Sequence, residues 1–122
     1  MKVLVVEDEF YARKAMIRQI KKYDQDGLFE ISEASNGEEG WEFCEKYKPE
    51  LVLTDIRMPK MDGIQAVTHI HEENPLARIV MVTALGQRAI ITDALKAGAA
   101  DFIVKPFDAE QVVETIKKVL TS

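Results

Sequence analysis

Glu7, Asp8, Asp55, Thr83 and Lys105 each stand just past the end of an apolar run: 2–6 (KVLVV), 51–54 (LVLT), 79–82 (IVMV) and 102–104 (FIV). Brought together, they would make a site of three carboxylates, a hydroxyl and an ammonium. Unit charges 4 Å apart at an effective dielectric near 20 interact by about 4 kcal/mol, so three clustered carboxylates call for a cation. Lys105 supplies one positive charge and a divalent ion two. Oxygen donors without His or Cys favour a hard ion, and a few carboxylates with the other positions left to water and phosphate is the Mg²⁺ pattern. Mg²⁺ and Lys105 together would balance the three carboxylates, leaving a site poised to take a phosphoryl group. Asp55 is then an aspartyl nucleophile of the kind that forms acyl phosphates. Lys105 would act as a point charge on one phosphoryl oxygen, and Thr83 Oγ would donate a hydrogen bond to another.

Each residue also has a plainer role. Asp55 alone would start a turn, Asp8 or Glu9 would cap the first helix, Thr83 would be a β-former at a strand end, and Lys105 a solvated lysine. Their joint occurrence after four strands is what favours chemistry, provided that those strand ends share one rim.

The elements that must place them are legible as alternating patterns. Continuous β-branched runs mark strands covered on both faces, and 28–34 (LFEISEA), which mixes apolar and acidic residues, suits a half-exposed edge strand. Helical spacing links Ala12, Met16, Gln19/Ile20 and Tyr23 until 24–27 breaks it. Asn36 with Glu39 caps a second helix whose apolar side runs through Trp41, Cys44 and Tyr47/Lys48 to Pro49. Asp62 with Gln65 caps a third, with Ile64, Val67 and Ile70/His71 inward. A fourth spans 87–97, with Ile90/Ile91 and Ala94/Leu95 inward and Gly98 after it. Asp108 with Gln111 caps the last, with Val112/Val113, Ile116 and Val119/Leu120 inward. Five strands alternating with five helices imply βαβ crossovers and a parallel sheet, an α/β fold whose carboxyl-terminal strand ends line one edge.

Length and composition narrow the function. The 122 residues suit one domain, 1–122, with its own core and no linker or repeat. A net charge of −5 argues against nucleic-acid binding by this chain alone, since that affinity comes from clustered Lys and Arg. No apolar stretch nears the ~20 residues of a membrane span and no signal peptide is evident, so a cytoplasmic protein without membrane contact is expected. Cys44, the one cysteine, sits at helical spacing from Trp41 and reads as a small buried hydrophobe.

Over residues 2–120 the sequence strongly resembles the receiver domains of two-component response regulators, through VLVVEDE, LTDIRMPKMDG, MVTA and FIVKPF in that order. The resemblance implies a doubly wound, flavodoxin-like sheet of order 2-1-3-4-5. It implies Mg²⁺ at Glu7, Asp8 and Asp55, with Asp8 and Asp55 as direct ligands joined by the main-chain carbonyl of Arg57. Asp55 becomes the phosphoacceptor, Thr83 and Lys105 the family's hydroxyl and lysine, and Phe102 its aromatic switch position; the bland alternative for Phe102 is a core residue. Lys105–Pro106 would be a cis peptide. The implied donor is a phosphohistidine of a sensor kinase or phosphotransfer protein, or a small phosphodonor. The implied output is a remodelled helix 4–strand 5–helix 5 surface, read by a downstream partner or by an effector domain outside this chain. Glu7 departs from the family, where Asp is common, and the 21–31 connection (KKYDQDGLFEI) is longer than a minimal member needs.

Two rivals use similar parts. A haloacid-dehalogenase-like phosphatase also has a strand-end Asp nucleophile, but needs a second Asp two residues on, where Arg57 stands. A flavin carrier needs a phosphate loop after the first strand, where acids stand instead. His69 and His71 are expected to be ordinary helix residues, His71 towards the buried side and His69 further out.

Overall fold

Runs of Val, Ile and Leu long enough to be covered on both faces become the inner strands of the sheet. The computed structural model describes residues 1–55, 63–84, 88–105 and 107–121. Ten elements alternate along it: β1 (Lys2–Val6), α1 (Phe10–Tyr23), β2 (Glu30–Ala34), α2 (Gly37–Tyr47), β3 (Leu51–Asp55), α3 (Gly63–Glu73), β4 (Arg78–Ala84), α4 (Arg88–Ala97), β5 (Asp101–Lys105) and α5 (Ala109–Thr121). All strands are parallel, in the order β2-β1-β3-β4-β5, as the resemblance implies. No helix among the described residues is long and apolar enough to cross a membrane.

Strand alternation divides the core into two layers. Leu4, Val6, Val52, Ile79 and Met81 face Cys44, Val67, Ile70 and Ala94 of α2, α3 and α4. Val3, Val5, Leu51, Leu53, Val80 and Val82 face Met16, Ile17, Ile20, Val112 and Ile116 of α1 and α5. Helices on both faces leave the strand ends as the open side of the sheet. β2, with its acidic positions exposed, is an edge as expected.

Caps follow side-chain chemistry. Glu9 accepts from Tyr11 N and Ala12 N to start α1. Asn36 Oδ1 accepts from Glu39 N at 2.9 Å, although Glu39 answers to Ser35 N and Oγ and not to Asn36. At α5 the exchange is mutual: Gln111 N donates to Asp108 Oδ1 at 2.9 Å, and Asp108 N to Gln111 Oε1 at 3.0 Å. Gly98 follows α4 with φ +124°, and an added Cβ would meet the His71 ring at 2.5 Å, so both backbone and space require glycine there. The Asp62 cap falls outside the described residues.

Several expectations need correction. β2 begins at Glu30, because the Asp24 carboxylate takes the Leu28 and Phe29 N–H groups, each at 2.8 Å, into the preceding turn. β3, β4 and β5 extend further than the apolar runs, taking in Asp55, Thr83 and Lys105 themselves. Tyr47 and Leu95 are exposed rather than inward. In α2 the close contact is made by Gly40, whose missing side chain admits β1. The histidines exchange places: His69 is half-buried, its ring stacked on Trp41 at 4.5 Å, and His71 is the more exposed.

An added Cβ at Gly40 would stand 2.9 Å from Val6 Cγ2, and Val6 immediately precedes Glu7. Gly40→Val is expected to lower stability by about 1–3 kcal/mol through overpacking, measured as a fall in the urea midpoint at unchanged m-value.

Candidate functional site

Register brings the strand ends to a common edge. Val6 pairs with Thr54, so Glu7 and Asp55 emerge side by side from β1 and β3. Asp55 pairs with Val82, one residue before Thr83, and Ala84 pairs with Lys105. Glu7, Asp55 and Thr83 are buried, whereas Asp8 is exposed. Carboxylate oxygens of Glu7, Asp8 and Asp55 lie within 4.8 Å of one another. Lys105 Nζ donates to Asp55 Oδ2 at 2.7 Å and to Glu7 Oε1 at 2.9 Å. Four of the five residues thus form one cluster, with Thr83 beside it along β4.

Phe102 lies on β5 opposite Met81 and is 36% exposed, which excludes the core reading. Its N–H donates to Asp101 Oδ1 at 2.8 Å. The Arg57 carbonyl and Pro106, with the Lys105–Pro106 peptide, lie outside the described residues.

Glu7 feels the cluster most strongly. Burial lifts its pKa, and Asp8 and Asp55 add to the rise. Lys105 and the Glu9 N–H, 3.2 Å from Oε2, oppose it, leaving a pKa of about 7. Burial pulls the Lys105 ammonium down, but hydrogen bonds to Asp55 and Glu7 outweigh it and raise its pKa. Three oxygen donors at this spacing, without His or Cys, fit a hard divalent cation in chemistry and charge. The Cys44 thiol, pushed up to about 12 by burial, is inert as expected.

Sequence patterns did not single out Arg13 or Glu33. Arg13 Nη1 donates to the Glu7 carbonyl at 2.7 Å, while its Nε donates to Glu33 Oε1 at 2.8 Å. The available signal was positional, since Arg13 lies four residues beyond the Glu9 cap and so one turn into α1.

Residues 3–117 match the model of the family described as response regulator receiver domain. The chain is 43% identical over 119 residues to the chemotaxis protein CheY of Listeria monocytogenes, covering 97% of each. It is likewise similar in structure to the receiver domain of NtrX from Brucella abortus, at a TM-score of 0.88 and 26% identity with 98% of each chain covered. The chemotaxis response regulator CheY4 of Vibrio cholerae is similar at a TM-score of 0.84 and 26% identity, covering 97% of each.

The raised Glu7 pKa has a signed consequence for the metal-free protein. Below pH 4.5 the group is protonated whether folded or unfolded. Between 4.5 and about 7 only the folded state keeps the proton, so stability falls as pH rises through that window. The loss is on the order of 3 kcal/mol, at 1.36 kcal/mol per pKa unit. In EDTA, stability measured from pH 4 to 8 should therefore shift in favour of Glu7→Gln relative to the parent; parallel curves would contradict it.

Proposed function

The chain belongs to the response regulator receiver domain family, and from that premise we propose that it is a phosphoacceptor switch of a two-component system, with Asp55 as the residue phosphorylated. Receiver domains are signalling switches. The observation that supports this assignment best is the Lys105 ammonium shared between Asp55 and buried Glu7, with Asp8 as third carboxylate of the cluster.

In the proposed reaction an Asp55 carboxylate oxygen attacks phosphorus, and the bond from phosphorus to the donor breaks. The donor is a phosphohistidine of a sensor kinase or phosphotransfer protein, or a small acyl phosphate. The new bond makes a mixed carboxylic–phosphoric anhydride, and later attack by water on phosphorus returns the carboxylate and releases phosphate. Asp8, Asp55 and the Arg57 carbonyl would hold Mg²⁺, together with Glu7, and the ion would supply positive charge to offset the phosphoryl oxygens. Lys105 turns its ammonium from the Asp55 carboxylate to a phosphoryl oxygen, keeping Glu7 as its second partner. Thr83 Oγ donates a hydrogen bond to another phosphoryl oxygen.

That contact shifts a two-state equilibrium only by its differential strength in the two states. Thr83 moves towards the phosphoryl group, Phe102 turns inward behind it, and the α4–β5–α5 surface changes for a downstream protein or an attached effector. Phe102 is exposed in this structure, the outward position from which such a turn would start. The switch catalyses only its own phosphorylation and slow dephosphorylation. We place it in the cytoplasm, without nucleic-acid or membrane contact by this chain. No observation favours a haloacid-dehalogenase-like phosphatase, whose second acid is replaced by Arg57.

With Mg²⁺ present, acetyl phosphate or beryllofluoride should shift the amide resonances of Thr83, Phe102 and Lys105, and Asp55→Asn should abolish the response. Identical spectra with and without the phosphoryl mimic would sink the proposal.

A further inference from the structure

Every polar atom of Glu7 has a partner. Its N–H donates to Ala34 O of β2 at 3.1 Å. Its carboxylate oxygens take Lys105 Nζ and the Glu9 N–H. Its carbonyl accepts from Arg13 Nη1 at 2.7 Å. That last bond ties the carbonyl of the Glu7–Asp8 peptide to α1, and the plane of that peptide bears on the direction in which the Asp8 side chain leaves the backbone.

Arg13 is itself held. Its side chain is only 14% exposed, and Nε is paired with Glu33 Oε1 at 2.8 Å. Glu33 also takes Lys14 Nζ at 2.7 Å, and the two cations lower its pKa. A planar guanidinium can serve two acceptors in fixed directions, which an ammonium cannot do in the same way. One side chain of α1 thus ties edge strand β2 to the backbone between two of the three clustered acids.

We infer that Arg13, anchored by Glu33, is a positioning residue for the metal site: it locks the Glu7–Asp8 peptide so that Asp8 meets Asp55 and Glu7 in a preformed cluster. This rests on the proposed Mg²⁺ role of those carboxylates. Asp8 is the exposed member of the cluster, so its direction is set by its backbone and its side-chain hydrogen bond with Glu7 and not by core packing. Without the Arg13 bond the peptide plane is released, and the cation must pay in affinity for gathering the acids. Loss of such an outer partner typically weakens metal binding by about 10–100-fold.

The test is a Mg²⁺ titration of the full chain followed through backbone amide resonances, with phosphorylation by acetyl phosphate measured at saturating Mg²⁺. Arg13→Ala should shift the Asp8 amide resonance in the metal-free protein and weaken Mg²⁺ about tenfold, with the saturated rate unchanged. Arg13→Lys, which keeps the charge and loses the fork, should remain several-fold weaker than the parent and decides the matter if Arg13→Ala does not fold. Parental Mg²⁺ affinity in either variant overturns the positioning role, as does a loss confined to thermal stability. A parent chain that does not respond to Mg²⁺ would instead overturn the metal reading on which the inference rests.

Discussion

Glu7 is completely buried, and it shares a space of 4.8 Å with two more carboxylates. Neighbouring strands lie roughly 4.8 Å apart, and Lys105 starts on β5, two strands from Asp55 on β3 and three from Glu7 on β1. Its long flexible stem spans the end of β4 and puts one ammonium between the two acids. That bridge is the interaction on which the edge of the sheet depends. Without it, two buried carboxylates would face each other in a region of low dielectric.

Charge then links the site to its surroundings. One ammonium cannot balance three carboxylates, and burial, with Asp8 and Asp55 adding to it, lifts the Glu7 pKa to about 7. A divalent ion carries the charge that three acids and one ammonium leave unbalanced, and the oxygen donors for it are already gathered there. The scaffold is stiff for the same end. Core layers on both faces hold β1, β3 and β4 in fixed register, leaving their terminal residues the part open to new contacts.

The alternation of strands and helices was legible because periodicity reports burial directly, and β2 was recognisable as an edge from its acidic residues. The site residues were legible because they follow apolar runs in a parallel sheet, whose strand ends share one side. Other features depend on tertiary contact that periodicity does not carry. Leu95 has an inward spacing in α4 but stays exposed. His69 is drawn inward by Trp41 of a neighbouring helix. Arg13 looks like any surface arginine of an amphipathic helix, and only the turn of α1 back over β1 and β2 brings it to the Glu7 carbonyl and Glu33.

Glutamate at position 7, where the resemblance leads one to expect aspartate, has a physical account in the same geometry. Lys105 approaches from three strands away, and the additional methylene of Glu7 extends its carboxylate towards that ammonium while the backbone stays in register with β2. Oε1 takes the lysine and Oε2 the Glu9 N–H, so the buried acid is committed to protein partners. Asp8, exposed, and Asp55, at the end of β3, are then the acids better placed to meet an incoming cation. The longer arm therefore divides the work among the carboxylates. In the switch proposed above, Glu7 is the partner that keeps Lys105 at the cluster when Asp55 takes a phosphoryl group.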